Sequence, residues 1–146
     1  MTVTTLAPAG DGAPIRDILL VGGIISAATL ATLVTLVAYR RGGARPLRIA
    51  ADVAGFVTRV PRWAALPGLG AIAFAVLTFM GAIWDIGVHI DTGRDNGPFG
   101  TTAHYPFLVG LVGLFLMGIL AAGMAPSDPR RVSRAAVTIR GVGPVP

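Results

Sequence analysis

Both histidines of the chain and three of its seven acidic residues lie in one stretch, from position 85 to position 104. Asp85 and His89 are four residues apart, which places them on one face if this segment is helical. A carboxylate and an imidazole in that arrangement can bind one metal ion. His104 can complete the site if the next helix returns beside the first. One carboxylate with two imidazoles suits zinc, copper or iron(II) better than calcium or magnesium, and we predict copper or zinc.

Three further polar side chains accompany these candidate ligands. Asp91 and Asp95 supply either more ligand oxygens or acceptors for the imidazole N–H groups behind the metal. Arg94 is expected to pair with one of the neighbouring carboxylates. Three alternatives stay open for the whole stretch: a polar loop that only shapes the connection, a proton-transfer group, and haem. Haem is disfavoured because its two axial ligands must face each other, whereas both histidines lie near the same end of the helices expected here.

Several other kinds of chemistry are excluded by residues that the chain lacks. It has no cysteine, so disulfides, thiolate zinc sites and cysteine catalysis are ruled out. The sequence also has no Gly-x-Ser-x-Gly nucleophile signature, no phosphate-binding loop and no dinucleotide fingerprint. The sequence therefore supports no specific enzyme class, and whether the protein is an enzyme stays open.

The composition is that of a membrane protein. Hydrophobic residues make up 53% of the chain, charged residues only 13%, and the mean hydropathy is +0.73. A soluble domain carries about 25% charged residues. The net charge of +5 comes from arginines beside the apolar segments, which indicates orientation in a membrane and not binding to nucleic acid.

Three apolar runs, at about 18–39, 64–84 and 105–125, are long enough to cross a bilayer. The predicted fold is an all-α integral membrane bundle of three helices. We expect a flexible outer tail over 1–16, a membrane domain over 17–125 and a basic cytoplasmic tail over 126–146.

The segment between the first two spans has an amphipathic pattern. Six arginines lie here, and five apolar residues recur at helical spacing: Ile49, Val53, Phe56, Val57 and Val60. This pattern predicts a short helix that ends before Pro61. Two placements fit it equally, one on the membrane surface and one against the inner end of the bundle.

Small residues recur along two of the spans at intervals that favour close helix packing. The first span carries Gly23, Ala27 and Ala31 at a spacing of four, and the third span carries Gly110, Gly113 and Gly118. Such faces allow neighbouring helices to approach closely in a membrane, either within the chain or in a homo- or hetero-oligomer. The other interpretation is the ordinary composition of a chain rich in alanine and glycine.

The arginines predict which way the chain crosses the membrane. Ten of the twelve lie in the first loop and the C-terminal tail, and one each lies in the N-terminal tail and the second loop. By the positive-inside rule, the N-terminus lies outside the cell and the C-terminus in the cytoplasm. The loop with the histidines then lies on the outer face of the cell membrane.

The segment from about Ala82 to Gly110 resembles a known pattern. Trp84-Asp85 followed by His89, then Gly93-Arg94-Asp95 and a histidine at a helix start, is similar to a segment of uncharacterised multi-pass membrane proteins of actinobacteria. In those proteins a proline often precedes the last histidine, where this chain has Ala103. Some of them continue into further spans with a second such segment, so the chain resembles either a short paralogue or the front part of a longer protein.

A looser likeness connects the same residues to the metal-binding subunit of particulate methane and ammonia monooxygenases. That family binds copper through Asp-x3-His and a second histidine on neighbouring membrane helices. Asp85, His89 and His104 stand at the matching positions, although the gap between the histidines is about two residues longer here. The likeness implies a metal site and does not extend to oxygenase activity.

Two functional hypotheses follow. The first is a polytopic membrane protein with an outward-facing Asp/His metal site, as part of a larger assembly. The second is a structural or accessory subunit without chemistry, whose polar loop and glycine-rich helix faces contact partner proteins. A transporter fragment is disfavoured because no span carries a charge at mid-membrane.

Overall fold

The computed structural model of the protein describes residues 15–93, 99–127, 137–139 and 143–145. Four α-helices follow one another in these residues: α1 (Ile15–Arg40), α2 (Arg45–Thr58), α3 (Arg62–Thr92) and α4 (His104–Met124). Of these, α1, α3 and α4 are long and apolar enough to cross a membrane. The predicted all-α fold with three spans is therefore confirmed, and it fits a membrane protein.

The two ends of the bundle differ in chemistry. The arginine end is where α1 finishes, α3 begins and α4 finishes, and α2 lies there between the first two spans. The histidine end is where α3 finishes and α4 begins. At 1.5 Å per residue, α4 with its 21 residues is about 31 Å long, while α3 with its 31 residues is about 46 Å long. Because the hydrocarbon core of a bilayer is about 30 Å thick, α3 extends beyond it.

α3 and α4 pack side by side because glycines remove the side chains between them. A Cβ at Gly81 would clash with the backbone of Phe107, and one at Gly110 would lie 2.7 Å from the backbone nitrogen of Thr78. The ring of Phe74 fills the space over Gly113. The absence of a side chain at these glycines lets the two helix backbones approach closely, as small residues do between membrane helices.

α1 is held to α4 near the arginine end. The side chain of Leu36 packs against Gly123, and Arg40 Nε donates a hydrogen bond of 2.9 Å to the carbonyl of Gly123. Three threonines of α1 donate their hydroxyls to carbonyls one turn earlier, which satisfies these polar groups inside an apolar helix: Thr29, Thr32 and Thr35.

α2 presents different residues to the protein and to its surroundings. Ala51 and Ala54 are buried, and Ala51 joins a small core with Leu36 and Met124. Four residues of the predicted stripe lie in α2 and are exposed, with Phe56 at 87%, and the fifth, Val60, is exposed just beyond the end of the helix. The helix therefore packs against the arginine end of the bundle through Leu47 and its alanine face, whereas the apolar side chains of the predicted stripe remain on the outside.

The C-terminal tail contains a short ribbon that the sequence analysis did not anticipate. Strand β1 (Val137–Ile139) pairs with strand β2 (Gly143–Val145) in antiparallel register, with Val137 opposite Val145. The β-branched run Val137, Thr138 and Ile139 favours an extended conformation.

Candidate metal centre

Asp85 and His89 share one face of α3 because the helix continues past Trp84 as far as Thr92. The helix then ends at Gly93, whose φ of +82° is a conformation that glycine adopts without strain. The polar residues at positions 85, 89 and 91 lower the local hydropathy without interrupting the helix. The separation of four residues consequently becomes one helical turn, and both side chains point in the same direction.

His104 is placed by a tight turn at the beginning of α4. The backbone N–H of Ala103 donates to Thr101 Oγ1 at 3.0 Å, and Ala103 itself is buried. One turn further along α4, Phe107 lies against Gly81, which is one turn before Asp85 on α3. The close approach of the two helices at this point brings the imidazole of His104 to the carboxylate of Asp85.

The three candidate ligands converge. Asp85 Oδ1 lies 3.0 Å from His104 Nε2 and 3.5 Å from His89 Nδ1. One potential ligand atom from each residue lies within 4.8 Å of the other two. In a tetrahedral site with bonds of about 2.1 Å, neighbouring ligand atoms are about 3.4 Å apart. The three side chains therefore lie close enough to one another for rotations of the side chains to bring them around one ion.

The hydrogen bond of His89 determines which of its nitrogens can bind a metal. Nδ1 lies 2.8 Å from the backbone carbonyl oxygen of Asp85. Because a carbonyl oxygen only accepts hydrogen bonds, Nδ1 must carry the proton and donate it. In the neutral imidazole, Nε2 is then the nitrogen whose lone pair can coordinate a metal ion. Ligand histidines in proteins commonly donate their second N–H to a carbonyl in this way.

The candidate centre is partly shielded from its surroundings. The side chains of Asp85, His89 and His104 are 24%, 30% and 13% exposed, and the two imidazole rings lie 5.3 Å apart between centroids. His104 is the first residue of α4, so the centre lies at one end of the apolar spans. A carboxylate in this position is costly to desolvate unless a cation or hydrogen-bond donors face it.

The structure does not bring the other residues predicted for the site, Asp91, Arg94 and Asp95, into described contact with the three candidate ligands. Asp91 lies exposed in the last turn of α3, and its carboxylate makes no hydrogen bond or ion pair within the described part of the chain. Arg94 and Asp95 lie outside the described residues.

The small residues predicted to mediate helix packing divide into two groups. Gly110 and Gly113 are buried between α3 and α4. Gly118 and Gly23 face open space, since a Cβ there would meet no atom of residues 15–93 or 99–127 within 4 Å. Ala27 and Ala31 are likewise exposed on α1. A role of this second group in helix packing therefore stays a prediction about contacts outside the chain.

Gly81 is the position that the sequence analysis missed. It is buried, and it allows the backbone of α4 to approach α3 one turn from Asp85. The available signal was its position four residues before Asp85, on the same helix face. Glycine content alone did not single it out, because α3 also carries Gly68 and Gly87, which have open space around them within the described structure.

Comparison with known protein families, with curated proteins and with solved structures finds no match to this chain.

Proposed function

We propose that this protein is a multi-pass membrane subunit that binds one copper or zinc ion through Asp85, His89 and His104. The observation that carries the proposal is the convergence of three ligand atoms from two neighbouring helices. The donor set of one carboxylate and two imidazoles is the one that borderline transition metals prefer. Three protein ligands leave at least one coordination position for water or another molecule.

The carboxylate of Asp85 faces the imidazole of His104, with 3.0 Å between Asp85 Oδ1 and His104 Nε2. Asp85 Oδ1 is buried and has no hydrogen-bond partner in the described structure, which supports a cation at this position. Asp95 is proposed as an outer acceptor for the imidazole N–H of His104, with Arg94 paired to a nearby carboxylate. Asp91 lies about 200° from His89 around α3, so it is not proposed to accept from that imidazole.

The proposed orientation places this centre on the outer face of the cell membrane. It rests on the distribution of arginines, ten of which lie in the first loop and the C-terminal tail. The centre would then exchange metal with the outside. The likeness to the copper-binding subunit of the particulate monooxygenases belongs to the same proposal, since Asp85, His89 and His104 stand at its matching positions.

The direct test is the amount of metal that the purified protein binds. Wild type, loaded with copper or zinc and freed of excess metal, is expected to retain one ion per chain. Asp85→Ala, His89→Ala and His104→Ala are each expected to lose it. Asp52→Asn is the matched control, since it removes a carboxylate that pairs with Arg62 at the arginine end. Equal metal in wild type and all three ligand variants would refute the proposal.

The second candidate function is an accessory subunit without chemistry, and it is favoured by one observation. The small-residue face of α1 has open space at Gly23 in the described structure, so another helix has room to approach it. If the ligand variants keep the biological activity while Gly23→Leu disrupts a complex, this candidate replaces the first. Gly113→Leu does not serve this test, because Gly113 packs against Phe74 inside the chain.

A further inference from the structure

A cleft between α1 and α4 lies apart from the candidate metal centre. Its volume is about 600 Å³, within the range of about 300–1,000 Å³ for small-molecule sites. Leu20 and Ile24 line it from α1, Val109 and Val112 from α4, and Phe74 closes it from α3. None of the three candidate metal ligands lines the cleft, so its occupant can be studied independently of any metal.

The cleft is apolar along its length and polar at one end. Among the described residues that line it, the polar side chains are those of Asp17 and Tyr105. Asp17 lies in the first turn of α1 and Tyr105 in the first turn of α4, so both mark the histidine end. Toward the arginine end, Arg40 and Leu36 hold α1 to α4. A matching ligand has one polar end and one apolar chain.

The length and the lining of the cleft match a lipid acyl chain. The α4 side of the cleft runs from Tyr105 to Leu116, which is about 18 Å of helix. The side chains along this length are apolar, and a carboxylate lies at one end. An alkyl chain below a cationic head group satisfies both features at once.

We propose that the cleft binds an acyl chain of a phospholipid whose head group carries a primary ammonium, as phosphatidylethanolamine does. The three surrounding helices are long enough to span a bilayer, so the apolar walls lie at the depth of lipid chains. The Asp17 carboxylate accepts hydrogen bonds from the ammonium, and the Tyr105 hydroxyl donates to an oxygen of the phosphate or ester. A choline head group has no N–H to donate to Asp17.

The test uses the full-length protein in bilayer nanodiscs with two photoreactive lipids. Phosphatidylethanolamine and phosphatidylcholine carry the same diazirine-labelled acyl chain, and mass spectrometry maps where each one attaches. In the wild type, the ethanolamine lipid is expected to label the segments around Ile24 and Val109 about fivefold more than the choline lipid does. Asp17→Asn is expected to keep the labelling and to abolish this preference.

The second part of the experiment blocks the cleft with a bulky side chain. Val112→Trp places an indole in the cleft and is expected to abolish labelling there by both lipids. Leu111→Trp is the matched control, because Leu111 is the neighbouring residue, is 44% exposed and does not line the cleft. Labelling of Val112→Trp at the wild-type level, or labelling spread evenly over all exposed helix faces, would overturn the proposal. Cross-links between two copies in the cleft would overturn it in favour of a dimer.

Discussion

Gly81→Ala is predicted to weaken metal binding although it changes none of the ligands. A Cβ at this position would lie 2.9 Å from Phe107 Cα and closer still to the Phe107 backbone nitrogen. Carbon contacts need about 3.5 Å, so α4 must move away from α3 by more than about 0.6 Å, and on the order of 1 Å. Asp85 is one turn from Gly81, and His104 is one turn from Phe107. The distance of 3.0 Å between Asp85 Oδ1 and His104 Nε2 should therefore lengthen toward about 4 Å.

The expected loss of metal affinity follows from the free energy needed to restore the original distance between α3 and α4. Overpacking by one methyl group costs about 1–3 kcal/mol. If metal binding must restore the short distance, the affinity should fall about 5- to 150-fold. Zinc titration against a competing chelator measures this affinity in detergent solution, and circular dichroism verifies that the helices are retained.

Gly87→Ala is the matched control for this variant. Gly87 lies on the same helix two residues beyond Asp85, and a Cβ there would meet no described atom within 4 Å. This variant should therefore bind zinc with the affinity of the wild type. The reasoning would be refuted if Gly81→Ala also retained that affinity, or if the two variants lost it equally.

Three further predictions concern the bundle itself. Gly110→Ala should lower the free energy of unfolding by about 1–3 kcal/mol because its methyl group meets the Thr78 backbone. Gly118→Ala should leave it unchanged, since a Cβ there meets no described atom. Unfolding in denaturing detergent measures the difference in stability between the two variants. Spin labels at Val57→Cys and Asp52→Cys lie about 140° apart around α2. Their accessibility to oxygen and to a water-soluble relaxation agent should place the first label in lipid and the second in water. Both labels in water would contradict a helix at the membrane interface. In intact cells, an impermeant thiol reagent should label Thr92→Cys and not Arg41→Cys, with the reverse pattern contradicting the proposed orientation.

The three spans were predictable because hydrophobic length is a property of the sequence alone. The predicted third span, 105–125, differs from α4 by one residue at each end. The second was placed at 64–84, whereas α3 continues to Thr92. Hydropathy does not detect this extension, since Asp85 and His89 are polar and yet remain helical. The extension aligns the two side chains, and from the sequence alone it could be given only as a condition for the site.

Which small residues pack against which helix was harder to predict. Spacing identifies a face of small residues but does not tell which helix it meets, because that depends on the register between α3 and α4. Gly81 packs against Phe107 although no glycine repeat marks it, whereas Gly23 belongs to a clear repeat and faces open space in the described structure. The approach of His104 to Asp85 depends on the same register between α3 and α4. The three candidate ligands could therefore be identified from the sequence, but the distances between their side chains could not.

The placement of α2 shows a different difficulty. The apolar residues of its predicted stripe, such as Phe56, lie on the outside, and Ala51, Ala54 and Leu47 face the protein. In a soluble protein the larger apolar face would be buried. Beside a membrane, lipid can cover that face, and small residues then allow the closest contact with the bundle.

The coordination of a bound metal ion tests the central claim most directly. X-ray absorption spectroscopy of the protein loaded with one equivalent of zinc or copper reports the number and type of ligands. The account predicts nitrogen and oxygen ligands at about 2.0–2.1 Å with the multiple-scattering signature of two imidazoles. His89→Ala and His104→Ala, which are expected to lose the bound ion, should also lose this two-imidazole signature. A spectrum without imidazole, or one that is identical in wild type and both variants, would contradict the account.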